Sequence, residues 1–132
     1  MKVRVSALLV VTAGFLCLNN AVAEDIKDFD AAKKLMTDKG LACAACHQLD
    51  KKGMGPSFNA IALFYNGKAD APAALEKKIM EGSKGVWGAG MMPPNPTAKD
   101  VAGDLVKWML SLNPEGDAKA AAESEITAMP ES

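Results

Sequence analysis

Cys43-Ala44-Ala45-Cys46-His47 constrains this chain more than any other stretch. Two thiols three positions apart, followed at once by an imidazole, form the C-x-x-C-H pattern of covalent haem attachment. Thiols at that spacing add across the two vinyl groups of one porphyrin, and the next histidine is held beneath the iron. The two alanines fit a tight helical turn pressed against a flat ring. Tethering keeps the ring in place in a protein too small to enclose it fully. Four Phe, two Trp and one Tyr among 132 residues are a thin supply of large core side chains.

Other readings of the motif are poorly supplied. A zinc site takes four ligands, and beyond residue 23 the chain offers two Cys and one His. A thioredoxin-like C-x-x-C needs a strand before it, and no segment here alternates as a strand. A Ser-His-Asp enzyme would need the single histidine that the haem claims. With Lys+Arg 15 against Asp+Glu 16, binding to nucleic acid through a basic surface is not expected. The length allows one domain.

The N-terminus reads as a targeting segment. Lys2 and Arg4 precede an apolar run from Val5 to Leu18, and Ala21 and Ala23 stand before the polar Glu24-Asp25. This is the pattern of a secretory signal peptide over residues 1–23, cleaved after Ala23. The run is short for a membrane span. Cys17 follows the bulky Leu16, unsuited to lipid processing, and counts as signal-peptide filler. The expectation is an exported haem domain over 24–113 and an acidic, flexible tail over 114–132.

A second axial ligand has to come from the methionines, because no second histidine exists. Met36, Met80 and Met109 sit at helical spacing and read as packing. Met54 lies too close after His47 to cross to the far face of a ring, and Met129 is in the tail. Met91 and Met92 remain, in Gly88-Ala89-Gly90-Met91-Met92-Pro93-Pro94-Asn95-Pro96. Prolines stiffen the chain just after them, and glycines before them allow close approach to a ring. Met92 is preferred because it abuts Pro93-Pro94, with Met91 as the alternative.

The periodicity predicts an all-α fold of four to five short helices. One runs from Phe29 to Lys39, with Asp28 as N-cap and Gly40 as its stop. A short turn carries the haem motif, and a helix over Ser57–Tyr65 follows. Asp70 caps a helix from Ala71 to Glu81, with Pro72 in its first turn. A loop from Ser83 to Pro96 leads to Thr97 and Asp100, a weakened capping box opening a helix that ends at Leu112. Trp108 lies on that helix's apolar face and reads as core. From Pro114 on, one lysine stands against five carboxylates and the bulky apolar residues are Ile126 and Met129, a composition read as a flexible tail.

With these motifs in order, the chain resembles the small bacterial single-haem class I cytochromes c, of the sort that donate electrons to nitrite reductases and terminal oxidases. The resemblance covers Phe29 to Leu112. It rests on the haem motif, Gly55-Pro56, Gly82-Ser83-Lys84-Gly85-Val86-Trp87-Gly88, Met92-Pro93-Pro94-Asn95 and Lys107-Trp108. It implies the class I cytochrome c fold wrapped around one haem c, bound through Cys43 and Cys46, with His47 and Met92 as iron ligands. It also implies that the Pro56 carbonyl accepts from His47, that Trp87 donates to a haem propionate, and that Asn95 hydrogen-bonds near the Met92 sulfur. Lys78 stands where relatives often have an arginine near the propionates. Gly90-Met91 departs from the pattern, which commonly has proline just before the ligand.

The function expected from this reading is a monomeric periplasmic electron carrier, not an enzyme, serving redox protein partners such as a reductase, an oxidase or an upstream cytochrome complex. Neither nucleic acid nor a membrane span after signal cleavage is expected. The exposed haem edge would be rimmed by Met54, Gly55, Ala89 and Met91. Lys51, Lys52 and Lys84 lie near that rim and would steer acidic partners, an effect that added salt would weaken. The alternative is a haem enzyme or gas sensor with a displaceable methionine, which carbon monoxide binding to the reduced protein would reveal. A haem-free dithiol–disulfide oxidoreductase is a third reading, separated by titration of free thiols.

Overall fold

A computed structural model describes residues 25–130. The expected signal peptide and Cys17 lie outside the described residues. Helix α1 (Phe29–Asp38) starts where Asp28 Oδ1 accepts from the Ala31 amide at 2.8 Å, a cap contributing about 1 kcal/mol. It buries Ala32 and Met36. Helix α2 (Cys43–Cys46) is the single turn of the haem motif.

Helix α3 (Phe58–Tyr65) has Ser57 as its N-cap, with Oγ accepting from the Ala60 amide at 3.1 Å. The two helical amides before Ala60 also find partners: Phe58 donates to the Gln48 carbonyl and Asn59 to that of Leu49. Amides otherwise orphaned at a helix start thus fasten α3 to the segment just after His47. Helix α4 (Ala71–Glu81) begins after Asp70 with Pro72 in its first turn, as expected, but Asp70 makes no side-chain capping bond.

The segment expected as a loop from Ser83 carries a short hairpin. Strands β1 (Ser83–Lys84) and β2 (Met91–Met92) pair antiparallel, Ser83 opposite Met92 and Lys84 opposite Met91. Next comes a 3-10 turn, Pro96–Ala98, whose Ala98 is fully buried. Helix α5 (Ala102–Ser111) starts only after Val101, and no side chain caps it. The capping box expected at Thr97 and Asp100 does not form, because burial of Ala98 fixes a separate turn ahead of the helix.

The core is a cluster joining α1, α3, α4 and α5, including Met36, Phe58, Leu75, Ile79, Leu105 and Trp108. Phe58 meets Trp108 edge-on, with ring centroids 5.1 Å apart, and Phe29 stacks on Trp108. Trp108 is therefore core, as its helical position suggested.

The acidic C-terminal segment is not a flexible tail. Gly116–Thr127 forms helix α6, which packs on α3. Its inner face is Ala118, Ala122, Glu125 and Ile126, spaced at one side of a helix, with Ala122 1% exposed. Small side chains let the two helices approach closely. The partner explains the docking: α3 is apolar nearly all round, and a helix of that kind must be covered on several sides. Among the described residues, no helix is long and apolar enough to cross a membrane.

Candidate functional site

The turn of α2 brings Cys43 and Cys46 half-buried to one wall of a cleft of about 470 Å³. Burial pushes the Cys43 thiol up from its ordinary range. His47 follows in extended conformation, its amide still bonded to the Cys43 carbonyl at 2.9 Å. Its ring is buried against Phe58, centroids 5.5 Å apart, and its Nδ1 lies 2.7 Å from the Pro56 carbonyl. With that nitrogen donating to Pro56, Nε2 keeps its lone pair for a ligand bond.

The chain after His47 turns back on the motif. The Gly55 amide donates to the Cys46 carbonyl at 3.0 Å. A Cβ at Gly55 would fall 2.5 Å from His47 Cε1, so only glycine permits this approach. Met54, at the tip, is 79% exposed.

The strap from Ser83 to Asn95 lines the same cleft. The hairpin register separates the two methionines: Met91 is 73% exposed, whereas Met92 is half-buried and packs against the core. Alternation across a strand sends neighbours to opposite faces, so one of the pair turns inward. Gly82 makes room for the strap. It has φ +80°, and a Cβ there would fall 2.5 Å from the Met92 carbonyl oxygen. Beyond the prolines, the Asn95 amide donates to the Ile79 carbonyl at 2.9 Å, tying the strap to α4.

The remaining expected residues divide. Trp87 is half-buried, meets Phe64 edge-on at 5.3 Å and lines the cleft. Lys78 is half-buried and lines a smaller cavity of about 80 Å³ shared by His47, Met92 and Trp87. Asn95 also borders the cleft, but its side-chain amide donates to the Pro93 carbonyl at 2.9 Å rather than to the Met92 sulfur. The neighbouring carbonyl, freed because no helix uses it, is the nearer acceptor. Met54, Gly55, Ala89 and Met91, expected at the rim, all line the cleft.

Two thiols, an imidazole and a thioether lining one cleft are the donor set of a tethered haem. The cleft volume suits a large flat ligand, and glycine at 55 leaves the ring of His47 uncovered by any side chain at that position. The model of the family "Cytochrome c" matches residues 29–113. The chain belongs to the cytochrome c family. As a cytochrome c of the small class I type, it carries one haem c bound covalently through Cys43 and Cys46.

Relatives of this cytochrome c include cytochrome c-551 of Pseudomonas aeruginosa, 40% identical over 104 residues, 79% of this chain and 92% of that protein. Cytochrome c2 of Rhodocyclus tenuis is 44% identical over 75 residues, 53% of this chain and 82% of that protein. The crystal structure of Nitrosomonas europaea cytochrome c552 is similar with a TM-score of 0.55 at 40% identity. That match covers 61% of this chain and 99% of the other. Electron-carrying cytochromes c of this kind work with redox partners. Helix α6 lies beyond the residues matched by the family model.

Sequence reasoning missed two contributors to the site. Gly82 stands just after the helix expected to end at Glu81, and its open α-carbon is what the strap crosses. Glu125, read as part of a solvated tail, reaches the amide of Ser57 at 2.8 Å. The signal available for it was the apolarity of Phe58–Tyr65, interrupted only by Asn59 and the Tyr65 hydroxyl, which asks for a covering element.

Proposed function

We propose that this cytochrome c is an exported, monomeric electron carrier whose haem iron is held by His47 on one side and Met92 on the other. The observation that carries the reading is that His47 and Met92 line one cleft, Met92 half-buried against the core while Met91 is exposed. When bound, the haem supplies a one-electron couple, and a methionine ligand favours a high reduction potential. The chain's own part is to hold both ligands still. Pro56 fixes the imidazole orientation, and Gly82 with Pro93 and Pro94 fixes the thioether. Two rigid ligands leave no coordination position for a substrate, which argues for a carrier rather than an enzyme.

Trp87 and Lys78 are assigned to the propionate side, and Asn95 to bracing the strap through Pro93. The exposed Met54 and Met91 give the haem edge an apolar rim for brief contact with redox proteins. Export to the periplasm rests on the signal-like residues 1–23, and the haem domain on 24–113, to which α6 adds a covering helix.

A visible spectrum of the exported protein, oxidised and reduced, with and without carbon monoxide, tests the reading. The expected result is a sharp low-spin reduced spectrum, a weak red band from the methionine–iron bond when oxidised, and no response to carbon monoxide. A carbon monoxide shift would instead indicate a displaceable methionine and a catalytic or sensing role.

A further inference from the structure

We propose that Glu125 of α6 sets the redox potential of the haem by acting on His47 through the Pro56–Ser57 peptide, an inference that rests on His47 being an iron ligand. One planar peptide unit joins the two side chains. Its carbonyl, on Pro56, lies 2.7 Å from His47 Nδ1; its amide, on Ser57, donates to Glu125 Oε2 at 2.8 Å. A peptide is conjugated from nitrogen to oxygen. A carboxylate bonded at the N–H pushes electron density toward the carbonyl oxygen and makes it a stronger acceptor. The His47 N–H is then polarised further, the ring becomes a better donor at Nε2, and the oxidised iron is favoured.

The peptide of the bridge is buried, and Glu125 is half-buried. Ser57 and Pro56 are buried, Ser57 completely. The Ser57 hydroxyl is taken by the Ala60 amide, so Glu125 is the partner for a buried N–H that would otherwise be unpaired. Of the carboxylates on α6, Glu123 points outward beside Lys119, 3.8 Å away, and is 59% exposed at its side chain. Glu125 comes from outside the region matched by the family model. Glu125 is a positioning residue that touches neither haem nor substrate.

The test is the midpoint potential of the holoprotein in wild type, Glu125→Gln and Glu123→Gln, with Glu125→Asp as a second substitution that keeps the charge. Gln is isosteric with Glu, and retention of α6 is checked by circular dichroism. Glu125→Gln is expected to raise the reduced-to-oxidised ratio at fixed potential by about threefold or more, the scale of polarising one strong hydrogen bond. In reduced protein the Ser57 amide and His47 Nδ1–H proton resonances should both move. Glu125→Asp should stay nearer wild type, and Glu123→Gln should change neither readout. An unchanged potential in a folded, low-spin Glu125→Gln protein would overturn the proposal, as would an equal shift in Glu123→Gln, which would mean bulk charge alone. A wild-type spectrum without low-spin character would instead remove His47 from the iron and take the underlying reading with it.

Discussion

Gly55 lies against the imidazole of His47 so closely that an added Cβ would sit 2.5 Å from Cε1 and 2.8 Å from Nδ1. The backbone here serves as one side of the histidine's slot, with Phe58 and the Pro56 carbonyl on the others. These three contacts limit how the ring can turn.

Replacing Gly55 by Ala is therefore expected to destabilise the holoprotein by about 1–3 kcal/mol, the usual cost of overpacking. The Cβ must displace either the ring or the loop that bonds to the Cys46 carbonyl. Denaturant unfolding with an unchanged slope checks this, and a midpoint equal to wild type would show that the loop yields freely.

Met92→Ala and Met91→Ala should part company. The first is expected to lose the weak red band of the oxidised protein and to bind carbon monoxide when reduced; the second should leave both spectra as they were. Gly82→Ala should resemble a mild form of Met92→Ala, because φ +80° and the 2.5 Å approach to the Met92 carbonyl both oppose a side chain there. Identical behaviour of the two methionine variants would refute the assignment drawn from the hairpin register.

Ala122→Leu tests whether α6 is part of the folded domain. Ala122 is 1% exposed against α3, and three extra carbons in that contact should cost about 1–3 kcal/mol. On a loosely attached tail the same substitution would leave thermal unfolding unmoved.

A contrasting result is expected at Asp25. Lys107 donates to its carboxyl at 2.5 Å, and this hydrogen bond, with the accompanying charge attraction, holds Asp25 below its ordinary value. The stabilising effect is present above the unfolded carboxyl value and is lost as pH falls through the folded one. Both groups are exposed, so the pair contributes little. Lys107→Met should raise the Asp25 midpoint followed by NMR while leaving stability near neutral pH within error. A clear loss of stability there would show the pair to be more than a surface contact.

Much of the site was legible because its chemistry is local in sequence. Cysteines at positions 43 and 46 share a helical turn wherever that turn goes, and His47 is bound to emerge beside them. Asp28 caps its helix through a bond spanning three residues, and such a contact is written within one turn of sequence. The paired prolines after Met92 likewise announce a stiff strap.

What the tertiary structure alone decided are contacts made across the fold. Met91 and Met92 are the same residue type side by side, and only the pairing of Ser83 with Met92 turns one inward and the other out. Thr97 and Asp100 have the letters of a capping box, but burial of Ala98 takes that stretch for a separate turn. Helix α6 carries so little bulk that its composition resembles a solvated tail; its order comes from α3, about sixty residues earlier in the sequence. Glu125 and Ser57 are 68 positions apart, and no local pattern can bring a carboxylate to an amide over that distance. Capping and motif spacing follow from short covalent reach, whereas the inward methionine and the covering helix follow from which surfaces are left to bury once the core has formed.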